Sequence, residues 1–230
     1  MIRRPPRSTQ SRSSAASDVY KRQGCGRSPT NGWINMDNSP AIKIANSQFK
    51  YKIARTLRLL NPEQIENIEW NKLNKIQFTD ATKSLPLKDS SVECIYTSHM
   101  FEHLSQIGAR SFLKEAKRAL KSGGVLRIAI PDLKIAIEKY LKSRDADSFM
   151  EEIFVQAPPI SSLKQKIILF LSGYRHHQWM YDGESLSKLL KETGFKEVEI
   201  CEGGYTKILD PDELNLNEQE DHSVYVESVK

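Results

Sequence analysis

Several short stretches of the chain hold residues suited to binding or chemistry. Gly24-Cys25-Gly26 would let a ligand approach the backbone closely, since glycine has no Cβ in the way. Pro29 stands where a dinucleotide fingerprint needs its third glycine, which disfavours a nicotinamide dehydrogenase. Asp37 could accept from both hydroxyls of a ribose, and it equally suits the turn Asp37-Asn38-Ser39-Pro40. Asp80 could accept from an exocyclic amine beside the Ala81 N–H, or cap a turn ahead of Thr82. His99, after Ser98, is the first candidate for a general base, because imidazole titrates near neutrality. The competing reading makes His99 a structural residue that shapes a pocket. His103 reads as a helix-start or core histidine.

A second cluster is His176-His177-Gln178-Trp179-Met180-Tyr181-Asp182. Two adjacent histidines with no third ligand at suitable spacing make a poor metal site, so no metal is expected. His177, Trp179 and Tyr181, with Asp132, instead suit an acceptor pocket for a sugar or an aromatic ring. A packed loop with Asp182 capping the next helix is the plainer alternative. Cys25, Cys94 and Cys201 show neither CxxC nor Cys/His spacing, which excludes a zinc framework and fits a reducing, cytoplasmic setting.

These residues need elements to position them, and apolar runs alternate with helical patterns throughout. Strands are expected at Trp33–Met36, Ile76–Thr79, Val92–Thr97, Val125–Ile130, Val198–Cys201 and Val224–Val229. One helix is expected from Ala41 to Leu60, with Ile44, Phe49, Ile53, Leu57 and Leu60 at near-helical spacing. Another runs from Ser105 to Lys121, with Ile107, Phe112, Leu113, Ala116 and Leu120 on one face and Gly123-Gly124 at its end. Asp132 to Gly173 reads as mostly helical, broken at Pro158-Pro159, and Gly183 to Thr193 as a helix closed by Gly194. Such alternation implies a mainly parallel sheet flanked by helices, with ligands at the carboxyl ends of the strands. Gly24, Asp37, Asp80, Ser98 and Asp132 all fall at those ends.

The segments GCG, GWINMD, DATKSLPLKDSSVECIYTSHMFEHL and EAKRALKSGGVLRIAIPDL together resemble S-adenosylmethionine-dependent methyltransferases of the methyltransferase-11 type. The Gly24–Asp37 spacing, HHQWMYD and the final HSVYVESVK are similar to a branch met in bacterial polysaccharide gene clusters. The resemblance covers Gly24 to Lys230. It implies a Rossmann-like, doubly wound α/β fold of seven strands, mostly parallel with an antiparallel last strand and helices on both faces. It also implies that Gly24, Cys25 and Gly26 pass beneath the methionine part of the cofactor, and that Asp37 binds the ribose. Asp80 and Ala81 would hold the adenine, while Ser98 and His99 would face the sulfonium and the acceptor. Glu102-His103-Leu104 would begin the next helix, and Asp132 would sit by the acceptor pocket. The implied reaction is methyl transfer to an oxygen or nitrogen of a small molecule or glycan precursor. A relative that binds the cofactor in a regulatory role without catalysis is the alternative.

Composition bounds the rest. At 230 residues, 39% hydrophobic and 27% charged, the chain suits one soluble domain. The net charge of +5 resides in the first 23 residues, where Arg3, Arg4, Arg7, Arg12, Lys21 and Arg22 face only Asp18. The remainder has as many acidic as basic residues and so lacks the positive field that nucleic acid binding requires. The segment Ile2–Gln23 resembles translated sequencing-adapter read-through, most clearly in SSAASDVYKRQ. Residues 1–23 are therefore expected to be a disordered or artefactual tail, and 24–230 the methyltransferase domain, with 132–182 as a lid or acceptor-binding insertion. Three long polar residues, Lys21-Arg22-Gln23, suit a central strand poorly. The stretch from Gly26 to the second strand is also shorter than the roughly dozen residues a crossover helix needs. The most apolar stretch, Ile160–Gly173, is too short for a membrane span and holds Lys164 and Lys166.

Overall fold

The computed structural model describes residues 20–56, 60–155, 176–209, 211 and 213–230. Its centre is a seven-stranded sheet: β1 (Tyr20–Gln23), β2 (Ile34–Asp37), β3 (Gln77–Phe78), β4 (Val92–Ser98), β5 (Leu120–Pro131), β6 (Lys196–Cys201) and β7 (Ser223–Val229). Their spatial order is β3-β2-β1-β4-β5-β7-β6. All neighbours from β3 to β5 pair in parallel, and β7 runs antiparallel to both β5 and β6. This is the doubly wound order in which the chain reverses direction of travel at β1/β4, leaving a crevice at the strand ends there.

Seven helices surround the sheet: α1 (Pro40–Ala45), α2 (Gln48–Thr56), α3 (Pro62–Leu73), α4 (Gln106–Ala119), α5 (Leu133–Ser143), α6 (Ala146–Ile153) and α7 (Gly183–Glu192), counted among the described residues. Their starts follow from local chemistry. Asn61 and Gln64 form a capping box before α3, and Asp182 and Ser185 form another before α7. The Ser105 side chain accepts from Gly108 N to open α4. On one face of the sheet, Phe112, Leu113 and Ala116 of α4 and Leu186 and Leu190 of α7 pack against Ile95, Leu126, Ile128 and Val226. On the other face Tyr20, Trp33, Tyr96 and Tyr225 meet Ile208 and Leu214 of the loop between β6 and β7.

Four local expectations change. Tyr20–Gln23, ahead of the expected boundary at Gly24, belong to the sheet as the buried strand between β2 and β4. Arg22 is accommodated there by Nη1 donation to Thr30 Oγ1 at 2.8 Å and Nη2 donation to Ser28 Oγ at 3.0 Å and Glu218 Oε2 at 3.0 Å. A buried guanidinium with partners of this kind escapes the cost that would exclude it from a core. The helix expected from Ala41 to Leu60 divides at Asn46-Ser47, residues whose side chains compete for backbone hydrogen bonds. Phe49 is thereby left exposed. The α4 helix ends at Ala119, ahead of the glycine pair, because Leu120 takes extended backbone and pairs with Val92. Ile107 on its first turn is exposed, so the buried face begins at Gly108.

Glu102-His103 also fall in a short 3-10 turn, Phe101–His103, ahead of α4 and separate from it. The connection from Gly24 to Trp33 holds no helix, as its length required. Residues 1–19 of the expected tail and the apolar stretch Ile160–Gly173 lie outside the described residues, apart from what their sequence shows. No helix among the described residues is long and apolar enough to cross a membrane. Cys25, Cys94 and Cys201 are buried and free, and burial pushes the Cys25 thiol up to about 12, with Asp37 adding to the effect.

Candidate active site

The site builds outward from the carboxyl ends of β1, β2, β3 and β4. Gly24 and Gly26 both take positive φ, 69° and 52°, which glycine alone adopts without strain. Met100 packs directly over Gly24, where an added Cβ would lie 2.5 Å from Met100 Cβ, while the space at Gly26 is open. Asp37 ties this loop to the next element. Its Oδ2 accepts from Gly26 N at 3.1 Å and its Oδ1 from Ser39 N at 2.8 Å. The turn expected at Asp37 is thus formed, and each oxygen retains a second lone pair.

Asp80 makes the turn expected of a cap. Its Oδ1 accepts from Thr82 N at 3.1 Å and Thr82 Oγ1 at 2.7 Å, and Lys83 Nζ lies 3.3 Å from Oδ2. Desolvation raises the Asp80 pKa, but these hydrogen bonds prevail and hold it below the usual value. Ala81 beside it is buried in the main core. Ser98 is buried at the end of β4, and His99 follows with a left-handed φ of 47°. The turn at His99 is held by its N–H donating to Ala129 O at 3.0 Å.

Beyond His99 opens a cavity of about 670 Å³. His99, Glu102, Asp132, Lys139, Phe154 and His177 are among its walls. The His99 ring is fixed by Nε2 at 3.1 Å from Ser223 Oγ, with Nδ1 3.7 Å from Glu102 Oε1. Burial depresses the pKa of His99, against the opposing field of Glu218, so its imidazole favours the neutral form. Burial likewise depresses His103 and His177, and pushes the Glu102 carboxyl up to about 8. Asp132 caps α5 by accepting from Lys134 N at 2.9 Å, and desolvation raises its pKa.

Of the acceptor residues expected from sequence, Asp132 and His177 reach this cavity and Trp179 and Tyr181 do not. Trp179 is 46% exposed and faces a separate shallow pocket with Gln106, Arg110 and Tyr181. Tyr181 is buried against Phe101, ring centroids 5.4 Å apart, so it serves packing at this position. Lys139, Phe154 and His222 were missed from sequence. Lys139 and Phe154 sit on or beside helices whose order in space no spacing rule reveals, and His222 precedes the last strand with no motif of its own.

Residues 40–128 match the family described as a methyltransferase domain. The seven-strand sheet has the Rossmann-like, doubly wound order, and within it residues 40–128 are similar to a methyltransferase domain. Among solved structures, an S-adenosylmethionine-dependent methyltransferase from Thermotoga maritima shares 18% identity at a TM-score of 0.46, covering 92% of this chain and 82% of that one. A second, from Archaeoglobus fulgidus, shares 15% at a TM-score of 0.44, covering 94% and 88%. No curated protein matches.

Polar groups gather at the strand ends around the glycine loop. Gln23 Oε1, Thr79 Oγ1 and Thr97 Oγ1, at or beside the ends of β1, β3 and β4, are buried without a hydrogen-bond partner among the described residues. Buried polar atoms are rarely left so in a finished site. A polar ligand in the crevice, or water, would satisfy them, and the open face at Gly26 leaves room for its approach.

Proposed function

We propose that the methyltransferase acts on an oxygen or nitrogen of a small molecule or glycan precursor bound in the cavity beyond His99. The observation that carries this reading is the cavity itself. It is contiguous with His99 at the end of β4, and its walls mix imidazole, carboxylate and ammonium groups with Ala136, Phe154 and Met180. Mixed walls of this kind suit a small polar acceptor with an apolar face. Much of the lining comes from α5, α6 and the stretch through Met180, which supports assigning 132–182 to acceptor binding.

On this reading the glycine loop and Asp37 hold the ribose and methionine parts of the cofactor. Asp80 and Ala81 border the adenine, and Ser98 borders the reacting end. S-adenosylmethionine supplies an electrophilic methyl carbon on a good leaving group. The protein's share is mainly alignment, which can provide several kcal/mol of the barrier. For a hydroxyl acceptor a proton must also leave, and His99, neutral and held by Ser223, is placed to accept it.

The test is a screen with labelled methyl donor over sugars, nucleotide sugars and small phenols, paired with equilibrium binding of the donor. Label on one of these classes is the expected result. Donor binding without transfer to any acceptor would favour the regulatory, non-catalytic reading instead.

A further inference from the structure

We infer that Glu102, His103 and His177 form a binding site for one divalent transition-metal ion, of the zinc type, in the wall of the cavity. The carboxylate oxygen and the two imidazole nitrogens all lie within 4.8 Å of one another. Glu102 Oε1 is 3.9 Å from His103 Nε2 and 3.8 Å from His177 Nε2. These separations are too long for hydrogen bonds. They exceed by about half an ångström the edge of a tetrahedron drawn at metal–ligand distances of about 2.0–2.1 Å, a gap that small side-chain rotations close on binding.

The tautomers point the same way. His103 Nδ1 lies 3.2 Å from His176 O, and His177 Nδ1 lies 2.8 Å from Ile153 O. A carbonyl oxygen only accepts, so in both rings Nδ1 carries the proton and the Nε2 lone pair faces Glu102. That is the outer-partner arrangement that orients metal-ligating histidines. Two nitrogen lone pairs face the Glu102 carboxyl group, which is 1% exposed and has no hydrogen-bond partner on either oxygen among the described residues. A cation at their common centre satisfies all three groups at once.

The backbone holds the ligands in place beforehand. Gln178 N and Trp179 N donate to Glu102 O at 2.8 and 3.2 Å, and Gln178 Nε2 donates to His103 O at 2.7 Å. His177 N donates to Phe154 O at 2.9 Å. The turn after β4 and the loop before α7 are thus clamped together, which fixes two ligands on one and the third on the other. Two histidines and one carboxylate are a donor set typical of catalytic zinc. All three residues line the cavity, so a remaining coordination position would be open to water or to an acceptor oxygen. Sequence spacing concealed this site: the adjacent pair His176-His177 offered only one ligand, and the other two stand far upstream.

The inference is independent of the methyl acceptor, and its test needs neither donor nor acceptor. The full chain, freed of metal with a chelator, is titrated with Zn²⁺ by calorimetry and with Co²⁺ by visible absorption. One tight site per chain is expected, with the Co²⁺ bands of low coordination number and a rise in melting temperature on adding Zn²⁺. His103→Ala and His177→Ala should each weaken Zn²⁺ binding beyond the roughly 10–100-fold that losing an outer partner costs. Glu102→Gln, which preserves shape and packing, should do the same and covers the case in which an alanine variant fails to fold. His222→Ala should leave binding intact, because His222 stands with Lys139 and Glu152 and outside the ligand set. Failure of the parent chain to take up Zn²⁺ and Co²⁺, or tight binding that survives Glu102→Gln, overturns the site.

Discussion

Arg127 on β5 and Glu227 on β7 form a salt bridge of 2.7 Å in which neither side chain is exposed to solvent. They are direct cross-strand partners. Arg127 also donates to Tyr205 O at 2.8 Å and Leu216 O at 3.0 Å, and Glu227 accepts from Lys207 N at 2.8 Å. The pair therefore fastens the long loop between β6 and β7 to the sheet, and that loop carries Ile208 and Leu214 into the core. Glu227→Ala is expected to destabilise the fold by about 3–5 kcal/mol, the cost of leaving a buried charge without its partner. The double replacement Arg127→Met with Glu227→Leu should cost clearly less than the sum of the singles. Urea unfolding of the parent, Glu227→Ala, Arg127→Met, Glu227→Leu and the double variant measures both, and additive losses would show that the two residues act independently.

Asp37 is expected to matter twice, through its bonds to Gly26 N and Ser39 N and through the cofactor. Asp37→Ala should weaken S-adenosylmethionine binding by about 1–3 kcal/mol, the range for unpairing charged hydrogen bonds. Calorimetry with the donor and with its demethylated product checks this. Unchanged affinity for both would take Asp37 out of the site.

His99→Ala should lower the rate with a hydroxyl acceptor by roughly 10²–10⁴-fold, as loss of a general base does. Cofactor affinity should change far less. If rate and donor affinity instead fall in parallel, His99 shapes the pocket and takes no proton.

Acid stability has an identifiable contributor in Glu115. A side-chain hydrogen bond from Arg118, aided by Leu85 N and Ser84, holds its carboxyl at about 2 against an ordinary value of 4.5. A depressed folded-state pKa adds stability that is complete above the unfolded value and is lost as pH falls toward the folded one. The contribution of Glu115 should thus be present above pH 4.5 and decline between there and about pH 2. Glu115→Gln should flatten the stability profile across that window. Thermal melts of both proteins at stepped pH give the comparison, and identical slopes would contradict the assignment.

Much of this fold was legible along the chain because the relevant physics is local. Alternating apolar runs identified most strands, and residues at a strand's carboxyl end need only that strand to be placed, so Asp37, Asp80, Ser98 and His99 were named from order alone. Capping residues Ser105, Asp132 and Asp182 were equally local, each bonding within three residues of itself. What the linear order could not carry were partnerships between distant segments. Arg22 looked too polar for a central strand until Glu218, from the other end of the chain, stood beside it. Trp179 and Tyr181 shared a motif with His177, yet the backbone turned one outward and buried the other away from the cavity. Glu102, His103 and His177 met only because the loop before α7 docks on the turn after β4. Side-chain convergence of that kind depends on which segments pack together, and packing is a property of the assembled sheet and helices rather than of any stretch of sequence.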